Sequence, residues 1–596
     1  MGNLTGGHIN SFNAGSGNII QVVQRLTILG VSIEACADRE GLGEALPDWA
    51  PIQAEMARRG SKISRLPITA FARGCASSAY ALSMLLFQAE FSGLPRATEL
   101  SRIQSNTAAL VDHKRDPAIA RNGQQRRFHG ISAVSQLGNP ADGGFGVLPI
   151  RQHVWARHAM WALKLVKGLA AQLSEVPPWV LAARVALRVP MRSIHPIAIF
   201  GWKPTIRQLM QCPPPLRRMF ESIAHLPPLQ IINTVTPGNW CASAPLWHNP
   251  LLEIENLGPP LHETYTLLHM MGIETLAELA NFIQDLEAPI STQPRVTNMT
   301  AVWKFIFRLK ARALWAALPP SWISASAQAL INPPGMDAFL AVALAALGWR
   351  QGVTGLPLSQ LSVRGGTEIQ LQAVLQPRRD KQLAFEQLAH SISGSTEETA
   401  APGYQPCIPA LLREMWKLKC GNVVKEPYWR LVLDAIPTAQ RRHTETEQCS
   451  CGVRNAGRAH HFWQCPVAQR VTAVVDTELA RFATQQAGYH ITLKATDIWL
   501  GKQPAGVRPW LWQLVCMAAI AAMELGRRQV SRLQLGDSHH SSAAIISRAG
   551  NSAVARMWDL LAEAASGHKL PSKQAERRPQ PFLRFDTTGG HWVPTV

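Results

Sequence analysis

The stretch from Cys449 to Pro466, CSCGVRNAGRAHHFWQCP, decides how the C-terminal part of the chain is interpreted. Two cysteines on a short turn, followed by histidines and a third cysteine, supply the sulfur and nitrogen ligands that a structural zinc ion binds in a tetrahedron. The spacing leaves the histidine ligand open. The predicted ligands are Cys449, Cys451, Cys465 and either His460 or His461.

The residues around these ligands suit a small metal module. Gly452 permits a tight turn behind the second cysteine, and Pro466 favours the start of a helix directly after the last ligand. Phe462 and Trp463 supply an apolar core that so short a segment otherwise lacks. The alternative is a surface loop with free thiols, which is disfavoured because exposed thiols oxidise.

Two helices are predicted immediately before the module. Pro409 opens the first helix, and the second runs from Tyr428 to Ile436, where Pro437 ends or bends it. Trp429 lies on the apolar face of the second helix. We therefore expect the metal module to pack against a tryptophan-rich helix.

The composition defines the broad class of protein. Lys and Arg number 59 against 40 Asp and Glu in 596 residues, which gives a formal net charge of +19 and an isoelectric point near 9.9. This excess of cations favours nucleic acid as a partner through neutralisation of phosphates, and a merely basic protein is the alternative. Hydrophobic residues make up 46% of the chain, so it can bury large cores.

Cysteine usage and hydropathy bear on location. Seven of the ten cysteines are isolated in sequence, as is typical of small buried side chains in a reducing, intracellular compartment, either nucleus or cytoplasm. The N-terminus lacks the pattern of a secretory signal. The longest apolar stretch, 511–525, contains Gln513 and Glu524 and is interpreted as a buried helix, so no membrane span is expected.

The whole chain is predicted to be mainly α, a multi-domain helical protein with few short strands. Residues 19–33 are strand-like, and 49–88 follow a helical period with a break at 64–67. A capping box from Thr275 to Glu278 opens a further helix. Residues 367–373 alternate as a strand does, and the polar segment 391–406 is the clearest linker.

Basic residues on two predicted helices are candidates for contacts with nucleic acid. In the helix from about 151 to 173, cations crowd a face away from the apolar side chains. In 303–312, WKFIFRLKAR, aromatic residues alternate with cations; we interpret the aromatics as a core stripe and leave the cations open. The candidate contacts are Arg157, Lys164, Lys167, Lys304, Arg308, Arg441 and Arg442.

The module and the helix before it resemble the zinc-binding domain at the C-terminal end of LINE-type (non-LTR) retrotransposon reverse transcriptases. In that family the second half of the motif reads His-x4-Cys-Pro, so the resemblance implies His460 as the ligand, with His461 as its substitute. The single residue between the first two cysteines departs from the family pattern. The matching residues are Trp429-Arg430-Leu431, Ile436-Pro437-Thr438-Ala439, Cys449, Cys451-Gly452 and His460-His461-Phe462-Trp463-Gln464-Cys465-Pro466.

Weaker motifs extend the resemblance over most of residues 19–470. They include Gly143-Gly144-Phe145-Gly146-Val147, similar to a Gly-Gly-Leu-Gly segment after the polymerase thumb, Trp247-His248-Asn249-Pro250 and Gly272-Ile273. The organisation that we predict is a flexible N-terminus 1–18, a polymerase thumb-like helical domain 19–135, a mostly helical connector 136–390, the linker 391–406, a zinc-binding domain 407–470, a C-terminal helical segment 471–566 and a flexible tail 567–596.

The resemblance implies RNA-directed DNA polymerase as the family's activity, but the carboxylates for this chemistry are missing. A polymerase needs clustered carboxylates to hold two metal ions, and in reverse transcriptases these include an Asp-Asp pair, whereas this chain has no Asp-Asp dipeptide. Asp476, Asp497 and Glu524 are interpreted as solvated helix residues. We therefore expect no enzyme, but a fragment that begins after the palm, with a palm from an upstream reading frame as a partner.

Three hypotheses on function follow. The first is a zinc-stabilised fragment that binds RNA or single-stranded nucleic acid. The second is a domesticated zinc-stabilised scaffold for protein interactions, without a nucleic-acid function. The third is a divergent enzyme, for which His539-His540 near Asp537 is the loose candidate, although adjacent histidines are more often a polar loop.

Overall fold

The computed structural model is mainly α with a few short strands, which confirms the predicted fold class. Most of the predicted flexible termini, most of the linker 391–406 and all of 537–540 lie outside the described residues. The structure describes residues 11–13, 19–21, 25–28, 31–34, 48–113, 130–170, 176–191, 197–252, 265–288, 294–327, 329–351, 354–395, 406–442, 448–486, 492–536, 541–567, 582–586, 588 and 591–595.

The first half of the chain is built mainly from α-helices. They are α1 (Ala50–Arg65), α2 (Ala70–Ala76), α3 (Ser83–Ser92), α4 (Ala97–His113), α5 (Ala133–Gln136), α6 (Ile150–Ala170), α7 (Pro178–Met191), α8 (Ala198–Gly201), α9 (Ile206–Met210), α10 (Pro214–Ala224), α11 (Thr266–Met270) and α12 (Leu276–Glu287). A π-helical turn, Ser77–Leu82, joins α2 to α3.

The second half continues in the same way. Its α-helices are α13 (Pro294–Thr297), α14 (Ala301–Ala317), α15 (Pro320–Ser326), α16 (Met336–Ala346), α17 (Val363–Val374), α18 (Gln376–Ile392), α19 (Ile408–Lys417), α20 (Asn422–Val432), α21 (Ala439–Arg442), α22 (Pro466–Gln486), α23 (Ala495–Trp499), α24 (Pro509–Gly536) and α25 (Ser542–Gly567). A second π-helical turn, His460–Gln464, precedes α22.

The strands are short and pair antiparallel. The pairs β1–β2, β3–β4 and β8–β9 are two-stranded, and β5–β6–β7 form a three-stranded sheet. The strand-like segment 19–33 thus contains three short strands. The strands are β1 (Ser11–Asn13), β2 (Ile19–Gln21), β3 (Arg25–Ile28), β4 (Val31–Glu34), β5 (Gln230–Ile231), β6 (Leu347–Gln351), β7 (Thr354–Pro357), β8 (Leu583–Asp586) and β9 (His591–Pro594).

The chain divides into two compact units. The first unit comprises Met1–Asp48, Leu86–Leu94 and Ile150–Ala373, and the second comprises Trp49–Leu85, Pro95–Pro149 and Val374–Val596. Both units are discontinuous in sequence. The boundaries that we predicted follow the chain from one domain to the next, and they stay predictions.

The first unit has a large hydrophobic core, built from apolar side chains of its helices and of the segments between them. Trp247 is fully buried there, and its indole nitrogen donates a hydrogen bond to the carbonyl of Ile273. The capping box at the start of α12 is confirmed: Glu278 N donates to Thr275 Oγ1 at 3.3 Å, and Thr275 N donates to the Glu278 carboxylate at 3.0 Å. These contacts satisfy backbone donors that the helix leaves unpaired.

The strand predicted at 367–373 is wrong, because these residues belong to α17. Ser362 supplies the start signal: its hydroxyl accepts a hydrogen bond from Gly365 N at 3.0 Å. Arg364 and Glu368, one turn apart, form an ion pair at 2.8 Å. The alternation of apolar and polar residues is so short that it fits both the strand period and the helical period. The hydrogen bond at Ser362 favours the helix.

In the second unit, α24 is a core helix. Its residues from Leu511 to Met523 are buried apart from Gln513, as predicted for this stretch. Glu524 is not solvated as expected, but buried, with Nε of Arg527 and Arg528 at 2.6 and 2.7 Å. By length and composition two helical stretches could cross a membrane, Ala70–Ser92 and Pro509–Val530, and 72% of the apolar window in the second is buried inside the protein.

The helix predicted at 428–436 starts earlier and ends earlier, as α20. Its C-terminus is a Schellman motif, in which Ala435 N donates to Arg430 O at 2.7 Å and Asp434 N to Leu431 O at 3.1 Å. Asp434 adopts the required left-handed conformation, with φ at 49°. Pro437 therefore lies beyond the helix and does not end it.

Candidate metal centre

Four side chains converge in the second unit. The ligand atoms of Cys449, Cys451, His460 and Cys465 all lie within 4.8 Å of one another, and Cys451 Sγ is 3.2 Å from His460 Nε2. Cys449, His460 and Cys465 are buried, and Cys451 is half-buried. These four residues form a group that could hold a metal ion.

A tight turn presents the first two cysteines. Gly452 N donates to Cys449 O at 2.8 Å, and Cys449 N donates to Val453 O at 2.9 Å, so the chain reverses direction within five residues. Gly452 has a φ of +96°, a backbone conformation that residues with a Cβ atom rarely adopt. Because the reversal is so tight, one residue between the cysteines is enough to direct both thiols to the same side.

A π-helical turn presents the other two ligands. Residues five apart lie about 140° apart around a regular α-helix, so His460 and Cys465 would diverge there. In the π-helical turn, Cys465 N instead donates to His460 O at 2.6 Å, and the two residues return to one face. Pro466 then starts α22, as predicted. The same geometry places His460 in the cluster and leaves His461 outside it.

The three thiols are electrostatically incompatible as three anions. The pKa of Cys449 is lowered to about 3 because its sulfur accepts a hydrogen bond from the Cys465 thiol, and the same interaction raises the pKa of Cys465. Burial raises the pKa of Cys451. This hydrogen bond thus favours the anion at Cys449 and the protonated thiol at Cys465. A bound cation would compensate the charge of all three thiolates.

His461 and Phe462, the two residues that follow His460, form the inner side of the module. Burial lowers the pKa of His461 to about 4, so its ring stays neutral. Phe462 is fully buried, and its carbonyl accepts a hydrogen bond from the Trp499 indole at 3.3 Å. Trp499 in turn stacks on Phe385 at 5.2 Å between ring centres. The module therefore packs onto Trp499 of α23, and Trp463 itself is only half-buried.

Each residue of the Trp429-Arg430-Leu431 motif has a definite partner. The Trp429 indole donates to Pro140 O at 2.9 Å, and Leu431 O accepts from Arg458 at 3.3 Å. The guanidinium of Arg430 pairs with the buried carboxylate of Asp112 and, at 2.9 Å, with Glu426. A buried cation with two carboxylates is well compensated, and the loss of either partner would leave a buried charge.

The candidate nucleic-acid contacts divide into two groups. Three arginines have structural partners: Arg157 pairs with Glu90, Arg308 donates to Leu286 O, and Arg441 donates to Gly130 O at 2.7 Å. Lys164 and Lys167 are exposed on α6, and Lys304 is half-buried on α14. The side chain of Arg442 lies outside the described residues.

The interpretation of the α14 aromatics as a core stripe is wrong for two of the three. Phe307 is buried with Ala311 and Leu314, but Trp303 is 47% exposed and Phe305 60% exposed. Alternation along the sequence is not the helical period, so residues 305 and 307 point to different sides. Val302 and Leu309, exposed by 68% and 55%, continue the outward apolar stripe.

Sequence reasoning missed the residues that support the module. Asp112 shows no pattern, because it lies far from its partner Arg430 in the chain. The i, i+4 spacing of Glu426 and Arg430 is the one local signal.

A scan against protein-family models and a search of curated proteins found no match to this chain.

Proposed function

We propose that this chain is a zinc-stabilised, non-catalytic C-terminal part of a LINE-type retrotransposon reverse transcriptase that binds RNA or single-stranded nucleic acid. The observation that carries the proposal is the convergence of three thiols and one imidazole on a tight turn and a π-helical turn. The residues that converge are those that the resemblance assigns as ligands.

Zinc fits this ligand set better than other common metals. Thiolates with an imidazole favour zinc, whereas magnesium and calcium bind oxygen ligands. Zinc lies about 2.0–2.3 Å from such ligands, so small rotations of side chains already within 4.8 Å of one another would complete a tetrahedron. Four protein ligands leave no position for water, so the ion would hold the module together without taking part in a reaction.

Charge supports the nucleic-acid part of the proposal. The net charge of +19 attracts a polyanion, and Lys164 and Lys167 are exposed on one helix. A palm encoded upstream would be a further partner. The chain contains no Asp-Asp pair of the kind reverse transcriptases use, so we propose no polymerase activity for it.

Metal content tests the first part. Zinc per chain would be measured by mass spectrometry for the wild type and for Cys451→Ser, His460→Ala and His461→Ala. We expect the wild type and His461→Ala to retain zinc, and the two ligand variants to lose it. Unchanged zinc content in Cys451→Ser and His460→Ala would exclude this ligand set.

Salt dependence tests the second part. Binding of a single-stranded RNA to the zinc-loaded protein should weaken steeply as salt rises, because each neutralised phosphate releases counterions. An affinity that is flat across salt concentrations would contradict nucleic-acid binding.

A protein-interaction scaffold is the second candidate, and one observation favours it. The stripe of Val302, Phe305 and Leu309 on α14 is apolar and exposed. Exposed apolar stripes of this kind are typical of surfaces that bind other proteins. A specific partner that is captured by the wild type after nuclease treatment, and lost with Phe305→Ala, would favour the scaffold.

A further inference from the structure

Three cations lie together beside the metal module. Lys381 is on α18, Arg441 on α21, and Arg458 on the segment that leads into the π-helical turn. The guanidinium of Arg458 lies 5.5 Å from the ring centre of Phe385, one helical turn after Lys381. We call these three residues the cationic cluster.

The cluster carries more positive than negative charge. Asp434 is the carboxylate that acts on all three cations, and its Oδ2 is 3.5 Å from Arg441 Nη1. Its side chain is 44% exposed, so solvent weakens its effect. Three cations against one carboxylate leave an excess of two positive charges.

Lys381 is the member without a direct partner. It is half-buried, and within the part of the chain that the structure describes its ammonium has no hydrogen bond or ion pair. Burial lowers the pKa of Lys381, and the nearby Arg441 and Arg458 lower it further. A cation removed from water costs free energy unless an anion or hydrogen bonds replace the lost hydration.

Hydrogen bonds to backbone carbonyls hold the two arginines in place. Arg441 donates to Gly130 O at 2.7 Å, and Arg458 donates to Leu431 O at 3.3 Å. A guanidinium has five N–H donors, and these contacts use only some of them. The remaining donors are therefore preoriented, and planar guanidinium groups match the oxygens of a phosphate.

We infer that Lys381, Arg441 and Arg458 form a binding site for a phosphate group. Lys381 supplies a point charge, and the arginines supply oriented donors. The phosphate would neutralise the excess positive charge and would give the half-buried ammonium of Lys381 a hydrogen-bonded ion pair. The inference that this phosphate belongs to a nucleic-acid backbone rests on the proposed function. Binding of a free phosphate would require only the cationic cluster.

The variant Lys381→Gln tests the site without breaking a described hydrogen bond. Lys62→Gln, exposed on α1 of the same unit, is the matched control. With zinc-loaded full-length protein, inorganic phosphate should raise the melting temperature relative to chloride at equal ionic strength. We expect Lys381→Gln to abolish most of this rise and Lys62→Gln to leave it unchanged.

The opposite change should strengthen the site. Asp434→Asn keeps a residue that tolerates the left-handed conformation and removes the one carboxylate. We expect tighter phosphate binding in this variant. Phosphate should also slow the acetylation of Lys381 in the wild type, but not that of Lys62, because a bound anion favours the charged ammonium.

RNA separates this inference from the proposed function. If the phosphate belongs to RNA, Lys381→Gln should reduce the slope of log affinity against log salt by roughly 0.7, the value for one phosphate contact on a single strand. Stabilisation by inorganic phosphate without RNA binding would support the site and contradict nucleic acid as its source. RNA binding with the same slope in Lys381→Gln, and no phosphate effect, would overturn the site and leave the proposed function standing.

Discussion

The metal module (449–466) and helix α24 both belong to the second unit, but different forces stabilise them. Helix α24 buries an almost unbroken apolar run from Leu511 to Met523. The module buries two cysteines, a histidine and few apolar side chains, among them Phe462. The order of the module therefore depends on what binds its polar side chains, whereas α24 needs only to exclude water. Two neighbouring parts of one unit can thus be unfolded by different perturbations.

Metal removal should give the largest difference between the two regions. After chelation, we expect amide hydrogen exchange across 449–465 to accelerate by roughly a thousandfold, because in small metal modules the binding free energy is folding free energy. Exchange across 511–523 should change little. Equal acceleration in both regions would mean that the module and α24 unfold as one.

A cavity in α24 should do the reverse. Trp512 is fully buried, and its indole donates to Asp497 O at 3.0 Å. Trp512→Ala should lower the free energy of unfolding by about 3–5 kcal/mol, as measured in denaturant, with zinc content unchanged. Trp512→Phe, which keeps part of the apolar volume, should cost less. Loss of zinc in Trp512→Ala would show that the module depends on α24.

A backbone change in the module should have the smallest effect. Gly452 has a φ of +96°, and Gly452→Ala introduces a side chain that this conformation disfavours by about 1–2 kcal/mol. Zinc affinity should fall by about tenfold in a competition titration. Gly421→Ala is the control, since its φ is −60° and a Cβ there would come no closer than 3.7 Å to Val423. Equal affinities in both variants would contradict the role of the turn.

Local signals in the sequence were sufficient where local geometry decides the structure. The ligand turn at Gly452, the helix start at Pro466 and the capping box at Thr275 each depend on a few neighbouring residues. The choice of His460 needed the resemblance, because ordinary helical spacing would favour His461, four residues before Cys465, and the sequence does not announce the π-helical turn.

Other features depend on contacts that a single sequence does not reveal. The end of α20 is set by the conformation of Asp434, and the exposure of Phe305 is set by which face of α14 meets the core. The pairing of Arg430 with Asp112 joins residues that are far apart in sequence. The cationic cluster combines residues from three separate segments, so no motif indicates it.

The π-helical turn accommodates one residue more between His460 and Cys465 than an α-helix needs to bring two residues to one face. Inserting one further residue between them would carry the imidazole around the helix axis by about 100°, whereas deleting one would leave the two ligands four residues apart, on one face of an ordinary α-helix. Residues 453–457, in contrast, form an irregular connection whose length no helical phase fixes. Insertions should therefore be tolerated before His460 and not between it and Cys465, and descendants of this sequence would gain length before the histidine rather than after it.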